Sequence, residues 1–585
     1  MLSGPSRHYC GHVTRAELPP PLQELIERSN RLGADRRNTN YGGGNTSAKG
    51  TVTDVVTAED VAVMWVKGSG GDLGTLTVDG VSMLVLDRIR ALKNAYVNTG
   101  QEDELHQLLD FCGLGPPGAA PSIDTSMHAL LPACHVDHLH PDSVIALAAS
   151  ADGEALTNKI FGDEIGWVSW QRPGFDLALK IDAMRETQGA LRGVVMGGHG
   201  LTTWAETSED CEQLSLDVIR RVADFIERHG KGEPLGALRV GFGPLRADER
   251  RRRALALGPI IRGLASTDQS VVGHWLDSDE VLDFIGREAT PRVAPLGTSC
   301  PDHFIRTKVR PLLLDLPTTA TPDEQTARLR HLHAEYREEY RRYYDRHARP
   351  ETPPMRGADP AIFLIPGVGM FSFGADPQTA SVAGEFYINA INVIRGAEAV
   401  STYTPVSEAE KFGVEYWMLE DLKLRRRPAP KSFTGRVAVV AVGAAAGVET
   451  AIGNAVVRVF EDAGAVVVVA DKDEAGAVEA AVLEFGGVDI VVGPSHTHAV
   501  AAMIAQGSGG DVVRLASTKS TVAELAAELA EYGVRVNGIN FDGDSDARAV
   551  AQAARALVDG SLAETTGLMI PIGRQQLTDD EEKDK

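Results

Sequence analysis

Three histidines of the sequence have the side-chain chemistry and spacing of a metal site. His138 and His140 are two residues apart in HVDHLHPD, whose neighbours indicate a β-strand. Because side chains alternate along a strand, both imidazoles lie on one face and can offer nitrogens to one ion. His199 follows a buried-looking strand in VVMGGHGL and supplies a third ligand between glycines. Three neutral imidazoles suit Zn²⁺ and leave a coordination position for substrate, which is typical of catalytic zinc.

Two glycine-rich stretches upstream have the composition of an anion-binding site. NTNYGGGNTSAKG sets three glycines beside Asn45, Ser47 and Lys49, and WVKGSGGDLGT adds Lys67 and Ser69. Glycine turns expose backbone N–H groups, and the neighbouring amide, hydroxyl and ammonium groups are donors suited to phosphate. Neither stretch matches the P-loop pattern GxxxxGK[ST]. Taken alone, each is equally consistent with an ordinary tight loop.

The elements that must position these groups are short strands that alternate with helices. Residues 20–232 mix β-type runs such as VAVMWVKGSG with helical stretches such as CEQLSLDVIRRVADFIERHG. This alternation predicts a compact α/β domain. His128 lies on the helix predicted after Asp124, and His135 precedes His138 by three residues. We interpret His128 and His135 as structural residues or as supports of the metal ligands.

Composition bounds the class of protein. The 585 residues carry 58 basic and 81 acidic side chains, a formal net charge of −23, and at roughly 150 residues each they allow three to four domains. Such a charge repels phosphate backbones and anionic lipid, so we expect neither nucleic acid nor a membrane as partner. MLSGPSRHYCGHVTRAELPPP has no apolar secretion signal, and no run reaches the ~18 apolar residues of a membrane span. With scattered cysteines, this composition predicts a cytoplasmic enzyme.

Beyond residue 232 the character of the sequence changes twice. Residues 233–430 are largely helical and mixed, and RLRHLHAEYREEYRRYYDRHARPE within them predicts a partly exposed helix, either a solvated face or a subunit contact. RRRPAPKSFTG has the prolines and like charges of a linker. Residues 431–575 are rich in Val, Ala and Gly with a βαβ pattern. We predict that the acidic residues 576–585 are disordered.

The order of these motifs resembles a known family. GGGNTSAK, KGSGGDLGT, PSIDTSMHALLP, HVDHLHPD and GGHGL follow one another as in the class II aldolase/adducin superfamily. More narrowly, they resemble fusions of rhamnulose-1-phosphate aldolase with a short-chain dehydrogenase, and GTSCPDHFIRTKVRPLLLDL and VEYWMLEDLKL extend the resemblance to the linker. It implies an α/β fold class: an aldolase/adducin-like α/β/α domain at 20–232, a helical and mixed middle region at 233–430, and a partial Rossmann-like, short-chain dehydrogenase-like domain at 431–575.

The resemblance assigns roles to residues of this chain. His138, His140 and His199 match the family's ligands for Zn²⁺ or another divalent metal. Asp124 matches the position at which many members have a glutamate as the catalytic acid/base. A tyrosine that some relatives supply from a neighbouring subunit has no matching position. The positions that match those holding the substrate phosphate are Gly44, Asn45, Ser69, Gly70 and Ser122.

The activity implied by the resemblance is reversible cleavage of a ketose 1-phosphate. A rhamnulose-1-phosphate-like sugar would yield dihydroxyacetone phosphate and lactaldehyde or a similar aldehyde. The metal would stabilise the enediolate left by C3–C4 cleavage, and Asp124 would transfer the proton. The expected partner is thus a small phosphorylated sugar, and the enzyme is expected to be a homo-oligomer. An epimerase or decarboxylase on the same scaffold and a non-enzymatic adducin-like module remain open alternatives.

The C-terminal βαβ resembles the beginning of a short-chain dehydrogenase. Gly443 and Gly447 stand in its glycine turn, and Asp471 stands where an acid would meet the ribose of NAD. The last glycine of the TGxxxGxG turn is replaced by Glu449, whose charge opposes a pyrophosphate at the helix N-terminus. The tyrosine of the catalytic YxxxK is replaced by Leu515. We therefore predict an inactive domain with a vestigial NAD site; the alternative is a bifunctional enzyme that retains NAD-dependent lactaldehyde oxidoreductase activity.

Overall fold

The structure, a computed structural model, describes most of the chain and divides it into two compact units. The described residues are 18–96, 106–115, 118–418, 429–516, 518–541, 545–559, 562 and 564–572. The first unit comprises residues up to 234 together with 299–302 and 392–406, and the remaining residues form the second unit. The acidic segment 576–585 lies outside the described residues. Its disorder and the domain boundaries at 232 and 430 stay predictions.

The first unit is built on a seven-stranded sheet. Its strands are β1 (Asn45–Thr53), β2 (Asp60–Lys67), β3 (Val81–Val85), β4 (His135–Leu139), β5 (Ile165–Val168), β6 (Gly193–Met196) and β7 (Gly200–Ala205). They lie in the order β3-β2-β1-β4-β7-β6-β5. All neighbouring strands are antiparallel except β5 and β6.

Helices cover both faces of this sheet. They are α1 (Pro20–Ala34), α2 (Leu86–Ala95), α3 (Thr125–Leu130), α4 (Asp142–Ala148), α5 (Gly153–Phe161), α6 (Phe175–Thr187) and α7 (Ser208–His229). On one face α4 and α7 pack against the sheet through residues such as Val144 and Val218. On the other face α3 and α6 do so through residues such as Met127 and Ile181. This arrangement confirms the predicted α/β/α layers.

Strand β4 lies in the middle of the sheet, and all five of its residues are buried. Its register sets His138 opposite Asn45 of β1 on one side and opposite Thr202 of β7 on the other. Val136 packs into the core of α3 and α6, and Leu139 packs into the opposite core. Because side chains alternate, His138 and His140 share the face of Val136, as the spacing predicts.

The second unit contains two further sheets. Their strands are β8 (Val272–Leu276), β9 (Leu312–Leu313), β10 (Ile362–Ile365), β11 (Gly369–Gly374), β12 (Val437–Ala441), β13 (Val466–Ala470), β14 (Ile490–Gly493), β15 (Gly510–Leu515), β16 (Val534–Phe541) and β17 (Met569–Ile572). The small sheet has the order β8-β11-β10-β9, and the larger has the order β13-β12-β14-β15-β16-β17. The larger sheet is parallel throughout, which makes this region Rossmann-like, as predicted.

The helices that follow α7 in the chain are mostly associated with these sheets. They are α8 (Ala247–Ala265), α9 (Asp279–Gly286), α10 (Thr290–Val293), α11 (Pro301–Thr307), α12 (Pro322–His347), α13 (Pro377–Val400), α14 (Glu408–Glu415), α15 (Thr450–Asp462), α16 (Glu474–Phe485), α17 (Thr497–Gln506), α18 (Lys519–Leu529) and α19 (Ala547–Val558). Across the described ranges, every helix is too short or too polar to traverse a lipid bilayer.

Helix α12 is the helix predicted from the charged, tyrosine-rich run. Tyr336, Tyr340 and Tyr343 are buried in the core of the second unit rather than on a solvated face. Glu415 of α14 accepts hydrogen bonds from Tyr340 and Tyr343, at 2.5 and 3.0 Å. The tyrosine spacing therefore marks the buried stripe of this helix, while Arg341, Arg342 and Arg346 pair with Glu338 and Glu339 on the exposed side.

A buried arginine joins α8 to the six-stranded sheet within the second unit. Arg262 is 1% exposed and donates to both carboxylate oxygens of Asp489 and to the side chain of Gln506. Its other donors reach the carbonyls of Val271 and Gly435. All five N–H groups of the guanidinium are therefore paired, which a buried cation requires.

Candidate metal centre

The three histidines predicted as ligands form one cluster in the first unit. His138 lies in β4, His140 follows the end of that strand, and His199 lies in the turn between β6 and β7. All three are buried, and their ring centroids are 4.7 to 5.0 Å apart. One nitrogen of each ring lies within 4.8 Å of the others, so the three can bind a single ion.

The hydrogen bonds of the rings direct their nitrogens. Nδ1 of His138 lies 3.0 Å from the carbonyl of Leu201, and a carbonyl only accepts, so this nitrogen carries the proton. Nε2 of His138 therefore has a free lone pair, and it lies 3.0 Å from Nε2 of His140. Nδ1 of His199 is buried and has no hydrogen-bond partner among the described residues.

Burial sets the protonation of two of the rings. It lowers the pKa of His138 to about 4, and it lowers the pKa of His199 well below the ordinary value with help from the neighbouring rings. Burial also lowers the pKa of His140, but Cys300 and Asp302 outweigh this and raise it well above the ordinary value. His138 and His199 are thus neutral near pH 7, the form that ligates metal.

Asp124 stands beside the cluster at the N-terminus of α3. Its Oδ2 is 4.0 Å from Nε2 of His138 and accepts hydrogen bonds from Asn45 (3.0 Å) and Ser122 (3.4 Å). Burial raises the pKa of Asp124, but His138, His199 and Asn45 outweigh it, and the net shift is downward. The carboxylate is therefore ionised in a buried position. Its Oδ1 is buried without a hydrogen-bond partner in the described part of the chain.

This donor set fits a divalent cation. Three imidazoles are ligands that Zn²⁺ and related ions prefer, and the ionised carboxylate of Asp124 beside them adds negative charge that favours a cation. Oδ1 of Asp124 and Nδ1 of His199 lie in this cluster and have no hydrogen-bond partner among the described residues. Leaving one such buried polar atom unpaired costs about 1–3 kcal/mol. A bound cation and its ligands offset that cost, so the structure agrees with the metal site predicted from the histidine spacing.

The two glycine-rich stretches meet next to the cluster. Gly44 has φ +70°, and a Cβ there would lie 2.5 Å from the carbonyl oxygen of His138, so the position requires glycine. Gly70 has φ +72°. The buried ammonium of Lys67 donates to the carbonyls of Gly44 (3.3 Å), Gly68 (3.4 Å) and Gly70 (2.8 Å). Lys67 therefore holds the two loops together.

A third segment joins these loops. The N–H of Ser69 donates to the carbonyl of Ala120 at 2.9 Å, and Asn45 donates to the hydroxyl of Ser122 at 2.9 Å. Asn45 and Ser122 are buried, whereas Ser69 is half-buried and Gly70 is exposed. The structure thus brings the predicted phosphate-binding residues to the edge of the histidine cluster. Their role in phosphate binding stays a prediction.

The anion site predicted from composition also contained Lys49, and this part of the prediction is wrong. Nζ of Lys49 donates to the carbonyls of Leu131 and Ala133, at 2.6 and 2.5 Å. Burial lowers its pKa to about 7. Lys49 therefore stabilises the chain before β4 and does not face the glycine loops.

His128 and His135 lie outside the cluster. His128 pairs with the side-chain oxygen of Asn45 at 2.5 Å and with the hydroxyl of Ser47 at 2.7 Å. It therefore fixes the orientation of the Asn45 amide. Nδ1 of His135 lies 2.9 Å from the guanidinium of Arg28, which is fully buried.

Sequence reasoning missed two residues of the site. Asp302 lies with Oδ2 2.5 Å from Nδ1 of His140, and Sγ of Cys300 lies 3.6 Å from the same nitrogen. The residue types in GTSCPD were the only signal, because the segment stands 160 residues after His140 in the chain.

The predicted cofactor residues of the C-terminal region lie at one end of the six-stranded sheet. Gly443 and Gly447 have φ values of +96° and +74° and form the turn after β12. Asp471 follows β13 at the same end of the sheet. Glu449 is the N-cap of α15 and makes no side-chain capping bond. Its carboxylate thus stands at the helix terminus that would face a pyrophosphate.

A cavity of about 230 Å³ opens at the carboxyl ends of β12, β13 and β14. Its lining includes Ala445, Lys472, Glu474 and Ser495. The strands that follow β12 in the chain, β13 and β14, lie on opposite sides of it, so the strand order changes direction here. Rossmann-like sheets bind ligands at such a point. Leu515, at the position of the catalytic tyrosine, ends β15 and is 2% exposed.

Comparison with known proteins identifies the class. Residues 23–220 match the class II aldolase and adducin N-terminal domain, and residues 252–424 match the aldolase class II second domain. A Bacillus subtilis protein named "Uncharacterized oxidoreductase YuxG" is 34% identical over an alignment of 520 residues, and the match covers 83% of this chain and 74% of that protein. The chain therefore belongs to the class II aldolase/adducin family.

Two solved structures are each similar to a part of the chain. The N-terminal class II aldolase domain of a conserved protein from Thermoplasma acidophilum is 26% identical, with a TM-score of 0.33, over 37% of this chain and 98% of that chain. A short-chain type dehydrogenase/reductase from Mycobacterium marinum is 17% identical, with a TM-score of 0.21, over 24% of this chain and 95% of that chain.

Proposed function

We propose that the protein is a zinc-dependent aldolase that reversibly cleaves a ketose 1-phosphate. The substrate is a rhamnulose-1-phosphate-like sugar, and the products are dihydroxyacetone phosphate and lactaldehyde or a similar aldehyde. The observation that carries this proposal is the buried cluster of His138, His140 and His199 with the ionised Asp124 beside it. Membership of the class II aldolase/adducin family supports the choice of reaction.

The chain's own residues account for proton transfer and orientation. Asn45 and Ser122 hold one oxygen of Asp124, and the other oxygen is free to take a proton from the substrate and return it. The loops around Gly44 and Gly70, joined by Lys67, hold the phosphate and fix the carbon skeleton. A divalent ion, when bound, supplies positive charge to the oxygens that gain electron density as the bond breaks.

The C-terminal region is proposed to be inactive in hydride transfer. Leu515 supplies no hydroxyl at the position of the catalytic tyrosine, and Glu449 opposes a pyrophosphate. The name of the Bacillus relative supports the alternative, a bifunctional enzyme with NAD-dependent lactaldehyde oxidoreductase activity. The two proposals differ in whether aldehyde-dependent NADH oxidation occurs.

The test is metal analysis of the purified chain combined with release of triose phosphate from a panel of ketose 1-phosphates. The wild type is expected to retain zinc and to release dihydroxyacetone phosphate, and His199→Ala is expected to lose both properties. His331→Ala is the matched control, because His331 is 61% exposed on α12. Zinc-loaded wild type that releases no triose phosphate from any ketose 1-phosphate would contradict the proposal.

The sequence-based predictions about partners are proposals too. A homo-oligomer without nucleic-acid or membrane partners is expected, and light scattering coupled to size-exclusion chromatography measures the number of chains. A monomer at micromolar concentration contradicts the predicted oligomer.

A further inference from the structure

The segment Ser299–Asp302 approaches the metal centre from a distant part of the chain. It falls in the region 252–424 that matches the second aldolase domain, yet its contacts assign it to the first unit. Its Asp302 carboxylate lies 2.5 Å from Nδ1 of His140, on the side of the ring opposite to Nε2. Nε2 of the same ring lies 3.0 Å from Nε2 of His138. The carboxylate and the ion-binding nitrogen thus occupy the two ends of one imidazole.

Gly43 closes the backbone over this pair. A Cβ at Gly43 would lie 2.4 Å from Oδ2 of Asp302 and 2.8 Å from Nδ1 of His140. It would also lie 1.9 Å from Oδ1 of Asn40, and real Cβ atoms do not approach other atoms this closely, so a side chain at Gly43 would displace these groups. The glycine stretch before β1 therefore serves the histidine–carboxylate contact as well as the loop itself.

The three rings differ in what holds their second nitrogen. His138 donates to a backbone carbonyl, Asp302 faces His140 with a charged acceptor, and Nδ1 of His199 has no partner among the described residues. A hydrogen bond to a carboxylate is roughly twice as strong as one to a neutral acceptor. It also fixes the tautomer and the orientation of the ring and makes the opposite nitrogen a better metal ligand.

We propose that Asp302 is a positioning residue of the metal centre, which orients His140 and strengthens its Nε2 as a ligand. Residues of the second aldolase region thereby complete a site whose ligands all lie in the first. This inference rests on the proposed function in requiring that the histidine cluster binds a metal ion. Sγ of Cys300 lies 3.6 Å from the same nitrogen, farther than the carboxylate of Asp302 at 2.5 Å, so Asp302 is the residue to which we assign this role.

The test measures affinity for Zn²⁺ alone, by competition with a chromophoric chelator, on the metal-free full chain. Asp302→Ala is expected to weaken zinc binding about 10- to 100-fold, the range found when such outer carboxylates are removed. Asp302→Asn, which keeps the shape and a neutral acceptor, is expected to lie between Asp302→Ala and the wild type. Cys300→Ser is the control and is expected to bind zinc as the wild type does.

A spectroscopic measurement separates positioning from a loss of folding. With Co²⁺ in place of zinc, the visible absorption of both Asp302 variants is expected to shift while one ion per chain remains bound. Wild-type affinity in both Asp302 variants overturns the proposal, and Asp302→Asn decides if Asp302→Ala does not fold. Equal weakening by Cys300→Ser also overturns it, because His140, Cys300 and Asp302 would then bind an ion directly. Failure of the wild type to bind zinc would instead remove the proposed function.

Discussion

At the scale of single residues, the two oxygens of Asp124 have different surroundings. Oδ2 accepts from Asn45 and Ser122, and Oδ1 is buried with no partner in the described chain. His128 in turn holds the amide of Asn45. This chain of hydrogen bonds anchors the carboxylate through one oxygen, and under the proposed function the other oxygen transfers the proton.

Asp124→Asn is expected to lower the turnover number for retro-aldol cleavage by roughly 10²–10⁴, the usual contribution of a positioned acid or base. The amide keeps the size of the side chain but cannot take up the proton. Zinc content is expected to stay at the wild-type level, because the three histidines are unchanged. Steady-state kinetics and metal analysis of the same preparation measure both quantities.

Asp182→Asn is the matched control for this substitution. Asp182 is a buried aspartate of α6 whose carboxylate accepts from Lys93 at 2.8 Å and from Arg185 at 2.9 Å, and neither partner belongs to the histidine cluster. Turnover is expected to stay close to that of the wild type. Asp124→Asn with wild-type turnover would show that another group transfers the proton.

Local spacing explains which site residues could be predicted. His138 and His140 are two positions apart on one strand, so their common face follows from period-two alternation. The prediction that Lys49 belongs to the anion site is wrong because of the distance along the strand. Four residues of β1 span about 13 Å at 3.3 Å per residue, so the side chain of Lys49 lies away from Asn45. Asp302 could not be predicted, since 162 residues separate it from His140 and no periodicity relates the two.

At the scale of elements, the order β1-β4-β7 creates the centre. The register sets Asn45, His138 and Thr202 side by side on three neighbouring strands. The strands themselves are short apolar runs, which alternation predicts. Their order is not predictable in this way, because pairing depends on contacts between segments that are far apart in the chain. The tyrosines of α12 show the same limit, since their spacing indicates one face but not whether it is buried.

Helix α12 is anchored by a buried carboxylate that predicts a pH dependence of stability. Asp359 accepts from His333 at 2.9 Å, from Thr267 at 2.6 Å and from Arg337. Burial raises the pKa of Asp359, but these donors outweigh it and hold the pKa well below the ordinary value. A folded pKa below the unfolded pKa of about 3.9 stabilises the fold above that pH. This contribution is lost as the pH falls toward the folded pKa.

Asp359→Asn is expected to destabilise the second unit by about 3–5 kcal/mol at pH 7, as breaking a buried ion pair does. The difference from the wild type should shrink as the pH falls below about 4. Urea unfolding at pH 7 and at pH 3.5 measures it. Asp315→Asn is the control, because it removes an exposed carboxylate that pairs with Arg328 of the same helix. It should lower the free energy of unfolding by at most about 1 kcal/mol. Equal effects of the two substitutions would contradict the assignment.

At the scale of the whole molecule, two family regions and a Rossmann-like sheet follow one another in the chain. The parallel order β13-β12-β14-β15-β16-β17 confirms the fold predicted from the βαβ pattern. Hydrophobic patterning and glycine turns predict such a sheet because each βα unit is local in sequence. Whether the sheet still binds a nucleotide depends on single positions, of which Glu449 and Leu515 are the informative ones.

The wild type is expected to bind NADH with a dissociation constant weaker than about 1 mM, which corresponds to less than about 4 kcal/mol of binding free energy. Glu449→Gly is expected to bind NADH more tightly, because it removes a negative charge from the N-terminus of α15. Fluorescence titration of NADH measures both. Neither protein is expected to reduce lactaldehyde, since Leu515 cannot donate a proton. Aldehyde-dependent NADH oxidation that survives His138→Ala would establish the bifunctional alternative.

Arg262 of α8 has a consequence for which changes of the sequence the fold tolerates. Arg262 has all five donors engaged, and three of the four residues that accept from it lie beyond residue 430. A chain shortened at the linker would lose Asp489, Gln506 and the Gly435 carbonyl together, and the guanidinium and the apolar surface of α8 beside it would be exposed to water. A C-terminal sheet without hydride chemistry, as proposed above, would therefore still hold the side chain of Arg262. Substitutions at single positions such as Glu449 and Leu515 leave these contacts of Arg262 intact, whereas deletion of the sheet removes them.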